Sequence, residues 1–203
     1  FAVEQIARRL GRQVPVGLRL NFDTGHTEPW SRFGFNLESG AAMDAARRIG
    51  ASQWLQLTGL HSHIGTFILD VRAYAQQARI MAEFMEVAER ETGCRIEYLD
   101  IGGGFASRNA MQGLYLPPDQ VVPSFEQYAE AIVEALNEAF HTAIREYGYK
   151  GRYLCVYPIK VNQQRQVVEE VLDFGREYGF GLEAGSKPEL LAVMAQAYND
   201  TPI

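Results

Sequence analysis

Apolar positions recur along this chain in two alternating rhythms. Five short, nearly continuous apolar runs read as strands: Val14 to Asn21, Leu55 to His63, Arg95 to Ile101, Tyr153 to Lys160 and Gly179 to Ala184. Between them the spacing turns helical. Glu4 to Leu10 carries Ile6 and Leu10 and stops at Gly11; a helix capped by Ser39 runs to about Ile49 and stops at Gly50. Val71 to Glu91 is amphipathic, with Tyr74, Ala78, Met81, Met85 and Ala88 on one face. Ser124 to Tyr147 keeps Tyr128, Ile132, Leu136, Phe140 and Ile144 in register. Arg165 to Tyr178 and Ser186 to Ala197 are the last two helices, the latter with Pro188 in its first turn. Loops are expected over Asp23 to Arg32 and around Pro117, Pro118 and Pro123.

Strands that alternate with helices and read as apolar on both faces predict a parallel sheet covered by helices. No linker or shift of composition divides the chain, so one domain over 1–203 is expected. Its 203 residues, 47% hydrophobic, suffice for a sizeable core. The net charge of −6 argues against a nucleic-acid binder. No apolar run approaches the ~20 residues of a membrane span. No signal peptide opens the sequence, and the missing initiator Met suggests a processed or trimmed chain. Two cysteines, Cys94 and Cys155, are too few for a disulfide scaffold and suit the cytoplasm, with Cys155 a small core residue.

In parallel α/β folds, ligands bind at the carboxyl ends of strands. All five expected strands end in polar or glycine residues, which predicts one shared rim: Arg19 and Asn21; His61 and His63; Gly102, Gly103 and Gly104; Lys160 and Asn162; Glu183 and Ser186. Lys160 is either a strand-end lysine reaching water or an amine tuned as a nucleophile toward an aldehyde. The glycine triplet reads as an anion cradle or an ordinary tight turn. His61 and His63 face one way; no further ligand at metal spacing joins them, so ring stacking is favoured over metal binding. Arg19 is a cation for a carboxylate or phosphate, or a partner for Glu183. Ser186 caps the last helix. His26 and His141 read as surface residues. A phosphate site, a lysine, a stacking ring and a carboxylate together suggest pyridoxal phosphate.

The motifs carry a resemblance. Tyr157-Pro158-Ile159-Lys160-Val161-Asn162-Gln163-Gln164 and Gly181-Leu182-Glu183-Ala184-Gly185-Ser186-Lys187-Pro188-Glu189-Leu190 are similar to the biosynthetic arginine decarboxylases, from about Asn137 onward. Gly59-Leu60-His61-Ser62-His63-Ile64-Gly65-Thr66 and Leu99-Asp100-Ile101-Gly102-Gly103-Gly104-Phe105 resemble the wider alanine-racemase-like pyridoxal-phosphate decarboxylases, of ornithine and diaminopimelate type. The resemblance implies a parallel (β/α) barrel, here partial and permuted, with about five strands. It implies Lys160 as the Schiff-base lysine, His63 stacked on the cofactor ring, and Thr66 where the family has a phosphate-binding Ser. Gly102, Gly103 and Gly104 would hold the phosphate; Arg19, Glu183, Ser186 and Glu189 would surround the lysine.

The order of motifs is inverted relative to the family. No Glu-Pro-Gly-Arg motif is present, and against the family two further barrel strands and the C-terminal β-domain are expected to be absent. A seam between two family members is expected near residues 134–140. The implied activity is decarboxylation of a basic amino acid, of arginine type or else ornithine, lysine or diaminopimelate. The implied partners are a small amino-acid substrate and a second copy of the chain. The alternatives are a recombined or engineered barrel fragment that binds the cofactor without decarboxylating, or a scaffold that self-associates through open sheet edges.

Overall fold

The computed structural model describes residues 2–107, 117–148, 150, 154–160 and 163–203. Tyr153, Val161 and Asn162, assigned above to the lysine strand and its mouth, lie outside the described residues. The chain groups into two compact units, Phe1–Ala139 and Phe140–Ile203.

In the first unit, α1 (Ala2–Leu10) leads into β1 (Val14–Asn21), and a two-residue strand, β2 (Phe35–Asn36), follows the loop. Then come α2 (Ala41–Gly50), β3 (Leu55–Ser62), α3 (Val71–Thr92), β4 (Tyr98–Asp100), α4 (Pro118–Val121) and α5 (Phe125–Glu146), the last belonging to this unit as far as Ala139. The sheet order is β2-β1-β3-β4, and every pairing is parallel.

Register explains the two faces of this sheet. Leu18 pairs with Leu60, and Leu60 with Leu99. This row joins Leu20, Leu57, Ala42, Ala46, Tyr74 and Met81 in the core under the helices. Each leucine so buried contributes about 1.5–3 kcal/mol. Side chains alternate across a strand, so the neighbouring rows share the opposite face. Those rows are Gly17, Gly59 and Tyr98, then Arg19, His61 and Asp100. A β-carbon on Gly59 would overlap the Tyr98 ring, so the glycine leaves room for that ring to lie across the strand. The second face is therefore glycine, tyrosine and charge, not the apolar face expected from the sequence.

α3 bears out the amphipathic pattern: Tyr74, Ala78, Met81 and Ala88 are fully buried. Its ends are set by Asp70, whose carboxylate accepts from the Arg72 N–H, and by left-handed Gly93. α2 departs from expectation at its start. Gly40, not Ser39, occupies the cap position, because Ser39 is drawn back by hydrogen bonds to Asn36.

The second unit holds β5 (Val156–Pro158), α6 (Arg165–Gly175) continued by one 3₁₀ turn (Arg176–Tyr178), β6 (Gly181–Glu183) and α7 (Lys187–Met194). β5 and β6 form their own parallel pair. Ile159, Val168, Leu172, Leu182 and Val193 make a separate core. The lysine strand is less buried than its composition suggests. Tyr157 and Ile159 face that core, whereas Val156, on the other face, is 42% exposed. The described strands thus form two sheets, one in each unit.

Candidate functional site

At the carboxyl ends of β3 and β4 the chain makes two loops, His63 to Ile68 and Ile101 to Ala106. The sheet ladder between the strands stops at His61 and Asp100. Beyond it the loops meet again, where Ile68 bridges Phe105 and its N–H donates to the Gly104 carbonyl at 3.0 Å.

The glycine triplet is not uniform. Gly102 (φ 73°) and Gly104 (φ 96°) hold left-handed backbone that other residues rarely adopt. A β-carbon at Gly102 would press on the Ser62 carbonyl and the His63 ring; one at Gly104 would overlap the Gly65 carbonyl. Gly103 differs: a β-carbon there would meet nothing within 4 Å. The donors differ as well. The Gly102 N–H donates to Asp100 Oδ1 at 2.8 Å, and the Gly103 N–H points to His63 Nδ1 at 3.3 Å. Among the described residues the Gly104 N–H and the hydroxyl of exposed Thr66 have no hydrogen-bond partner. Phe67, next to Thr66, is the one non-glycine residue with positive φ (59°) among those described, which marks this loop as strained.

His63 is fixed from two sides. Its Nδ1 accepts from Gly103, which leaves the proton of the neutral ring on Nε2. The Trp30 ring stands edge-on to it, with centroids 6.1 Å apart. His61 lies apart from that contact, with Nδ1 3.0 Å from Asp100 Oδ2 but outside hydrogen-bond geometry. Arg19 completes this row; its guanidinium lies 5.2 Å over the Phe33 ring, and its buried Nε has no hydrogen-bond partner. Asn21 is not a free rim residue. Its side chain donates to the carbonyls of Phe33 and Gly34 and accepts from Asn36, and so holds β2 against β1.

Beneath both loops lies a polar layer that sequence reasoning missed. Gln77 is fully buried and donates to the carbonyls of Ser62 (3.1 Å) and Ile101 (2.9 Å). The Tyr74 hydroxyl donates to the Gly103 carbonyl at 3.2 Å. The Tyr128 hydroxyl donates to the Ile68 carbonyl at 2.5 Å and accepts from the Ala106 N–H at 3.4 Å. Burial pushes both phenols up from their ordinary range, so they stay protonated donors. The available signal was a glutamine one position from Ala78, on the apolar face of α3.

In the second unit Lys160 follows β5 in a turn, exposed, directly after fully buried Ile159. Glu183 ends β6, and its carbonyl accepts from the Ile159 N–H at 3.0 Å, which fixes the backbone beside the lysine. Ser186 caps α7 as expected: its hydroxyl accepts from the Glu189 N–H, while the Glu189 carboxylate accepts from the Gly185 N–H at 2.8 Å.

Among the described residues no group of His, Cys, Asp and Glu could hold a metal ion. The first unit instead fits a phosphate-bearing planar molecule. It offers an open approach over Gly103, an unpartnered N–H and hydroxyl close by in sequence to the loop contacts, and an imidazole held in one orientation.

Among curated proteins, the chain is 64% identical over 63 residues to biosynthetic arginine decarboxylase of Gloeobacter violaceus, covering 31% of this chain and 10% of that protein. It is 54% identical over 83 residues to arginine decarboxylase 1 of Oryza sativa subsp. japonica, covering 41% and 12%. It is 47% identical over 107 residues to biosynthetic arginine decarboxylase of Tolumonas auensis, covering 52% and 16%. The matched segments therefore span no more than about a sixth of these relatives' lengths. Among solved structures, diaminopimelate decarboxylase from M. jannaschii in co-complex with L-lysine aligns with TM-score 0.54 and 22% identity, over 70% of this chain and 32% of that one. The Helicobacter pylori diaminopimelate decarboxylase complexed with L-lysine gives 0.52 and 22%, over 66% and 33%. These likenesses show the α/β fold of that barrel type. Residues 2–149 match the family described as "Pyridoxal-dependent decarboxylase, pyridoxal binding domain". With its parallel α/β fold and its glycine-lined cradle, the chain belongs to the pyridoxal-dependent decarboxylases, whose cofactor is pyridoxal 5′-phosphate.

Proposed function

We propose that this chain takes part in pyridoxal-phosphate-dependent decarboxylation of a basic amino acid, of arginine type. The observation that carries the reading is the cradle of the first unit. Gly102 and Gly104 pack closely on the neighbouring loop, while Gly103 is left open. Gly104 and Thr66 would donate to a phosphate, and His63 would present an oriented ring. In the second unit, taken by itself, Lys160 is the amine that would hold the cofactor. Glu183 and Ser186 order the backbone beside it, and Arg19 offers its unpartnered Nε to an anion. When bound, the cofactor supplies an electron sink for the carbanion left by departing CO₂. The named activities of the curated relatives support arginine over ornithine, lysine or diaminopimelate as substrate.

The same reading assigns the chain to polyamine biosynthesis in the cytoplasm, as a homo-oligomer, with a join between two family members near residues 134–140. A second reading is a barrel unit that binds the cofactor without turning over substrate; its support is that the cradle of the first unit is built within that unit.

The test is direct. The protein is incubated with pyridoxal phosphate, reduced with borohydride and digested. The proposal expects a pyridoxyl adduct on the Lys160 peptide, absent in Lys160→Ala, and CO₂ from carboxyl-labelled arginine. An adduct without CO₂ from arginine, ornithine or lysine supports the second reading; no adduct overturns both.

A further inference from the structure

We infer that Tyr74 and Gln77, one turn apart on α3, are positioning residues that set the spacing between His63 and the glycine triplet. The inference rests on the reading that this cradle takes the cofactor phosphate. β3 and β4 part company after the His61–Asp100 pair, and their next carbonyls, Ser62 and Ile101, leave the ladder. A buried carbonyl without a donor is costly. One side-chain amide serves both: Gln77 Nε2 spans Ser62 O and Ile101 O, the residues immediately before His63 and Gly102. A single nitrogen with two acceptors fixes their separation more tightly than two independent donors would. Tyr74 adds a third tie, to the Gly103 carbonyl, and the Gly103 N–H then reaches His63 Nδ1. The amide face that orients the imidazole is thus held from below by α3.

The pair is built for position more than for burial. Gln77 is 0% exposed and leaves its own Oε1 unpartnered, a cost accepted at a site where its amide serves two carbonyls. Neither residue is placed against the cofactor; both act through the backbone of the loops.

The experiment compares wild type with Gln77→Met, which keeps the volume, and Tyr74→Phe, which removes one oxygen. Two readouts are taken: amide hydrogen exchange at Gly102 and Gly103, whose N–H groups are hydrogen-bonded, without cofactor, and the dissociation constant for pyridoxal phosphate. Gln77→Met is expected to speed exchange at these glycines, and to weaken cofactor binding, by about tenfold, the factor equivalent to one ordinary net hydrogen bond. Exchange at core amides such as Leu60 should change far less, whereas a merely structural role would lower protection at all of them alike. Tyr74→Phe should act in the same direction by a smaller factor. Glycine exchange and affinity within about twofold of wild type in a folded variant would overturn the inference. If Gln77→Met does not fold, Tyr74→Phe decides by the same criteria. If wild type binds no cofactor, the functional reading fails, and the exchange comparison still decides the role of the pair.

Discussion

Gly104 rests directly on the backbone of Gly65, so closely that a β-carbon on it would overlap the Gly65 carbonyl. Gly104 and Gly103 should therefore answer differently to the same substitution. Gly104→Ala must open the two loops and adopt φ 96°, at a cost on the order of 3 kcal/mol. Gly103→Ala meets no neighbour, so stability should stay within about 0.5 kcal/mol. Its methyl group does enter the open approach, and pyridoxal-phosphate affinity should fall. Urea unfolding and cofactor titration of both variants check the contrast.

Tyr128 ties the two loops together from α5. Tyr128→Phe leaves the Ile68 carbonyl and the Ala106 N–H without their partner and should cost about 1–3 kcal/mol. The pH dependence has a definite sign. Folding raises the phenol pKa values of Tyr74 and Tyr128 above the ordinary 10.0, chiefly by burial. Their contribution is complete below pH 10 and is lost as pH rises through the folded values. Ultraviolet titration should show both phenols ionising together with alkaline unfolding.

Asp70 governs the opposite end of the pH scale. The hydrogen bond from Arg72 is the largest cause holding its carboxyl below the ordinary value of 3.8. A depressed folded pKa gives stability that is present above 3.8 and lost as pH falls through the lower folded value. Asp70→Ala should cost about 1 kcal/mol near neutrality through the lost helix cap. Asp70→Asn should keep most of the cap and flatten the acid limb. Urea unfolding across the acid range distinguishes the two.

Trp30 stands against His63 and should report on cofactor binding. The chain has two tryptophans, Trp30 and Trp54. In Trp54→Phe, emission from Trp30 should fall on addition of pyridoxal phosphate, with the same concentration dependence as the Lys160 adduct. Unchanged emission at concentrations that give full adduct would place the ring of the cofactor away from His63.

The sequence by itself determined the local elements and the identity of the motifs. Hydrophobic period settles strand or helix from neighbours alone, so β1 was legible from Val14 to Asn21 and α3 from its buried face. The close backbone approach at Gly102 and Gly104 was legible because only glycine permits it. Tertiary structure decided what no local pattern encodes. Phe35–Asn36 became a strand because Asn21, fourteen residues before Phe35, holds the intervening chain. Gln77 has no role that the helical pattern encodes; the parting of β3 and β4 gives it two carbonyls to serve. Arg19, His61 and Asp100 became one row through strand register, which depends on pairing between segments far apart along the chain. The division of the strands into two sheets has the same origin: apolar runs say that a strand must pair, and only the packed chain says with which neighbour.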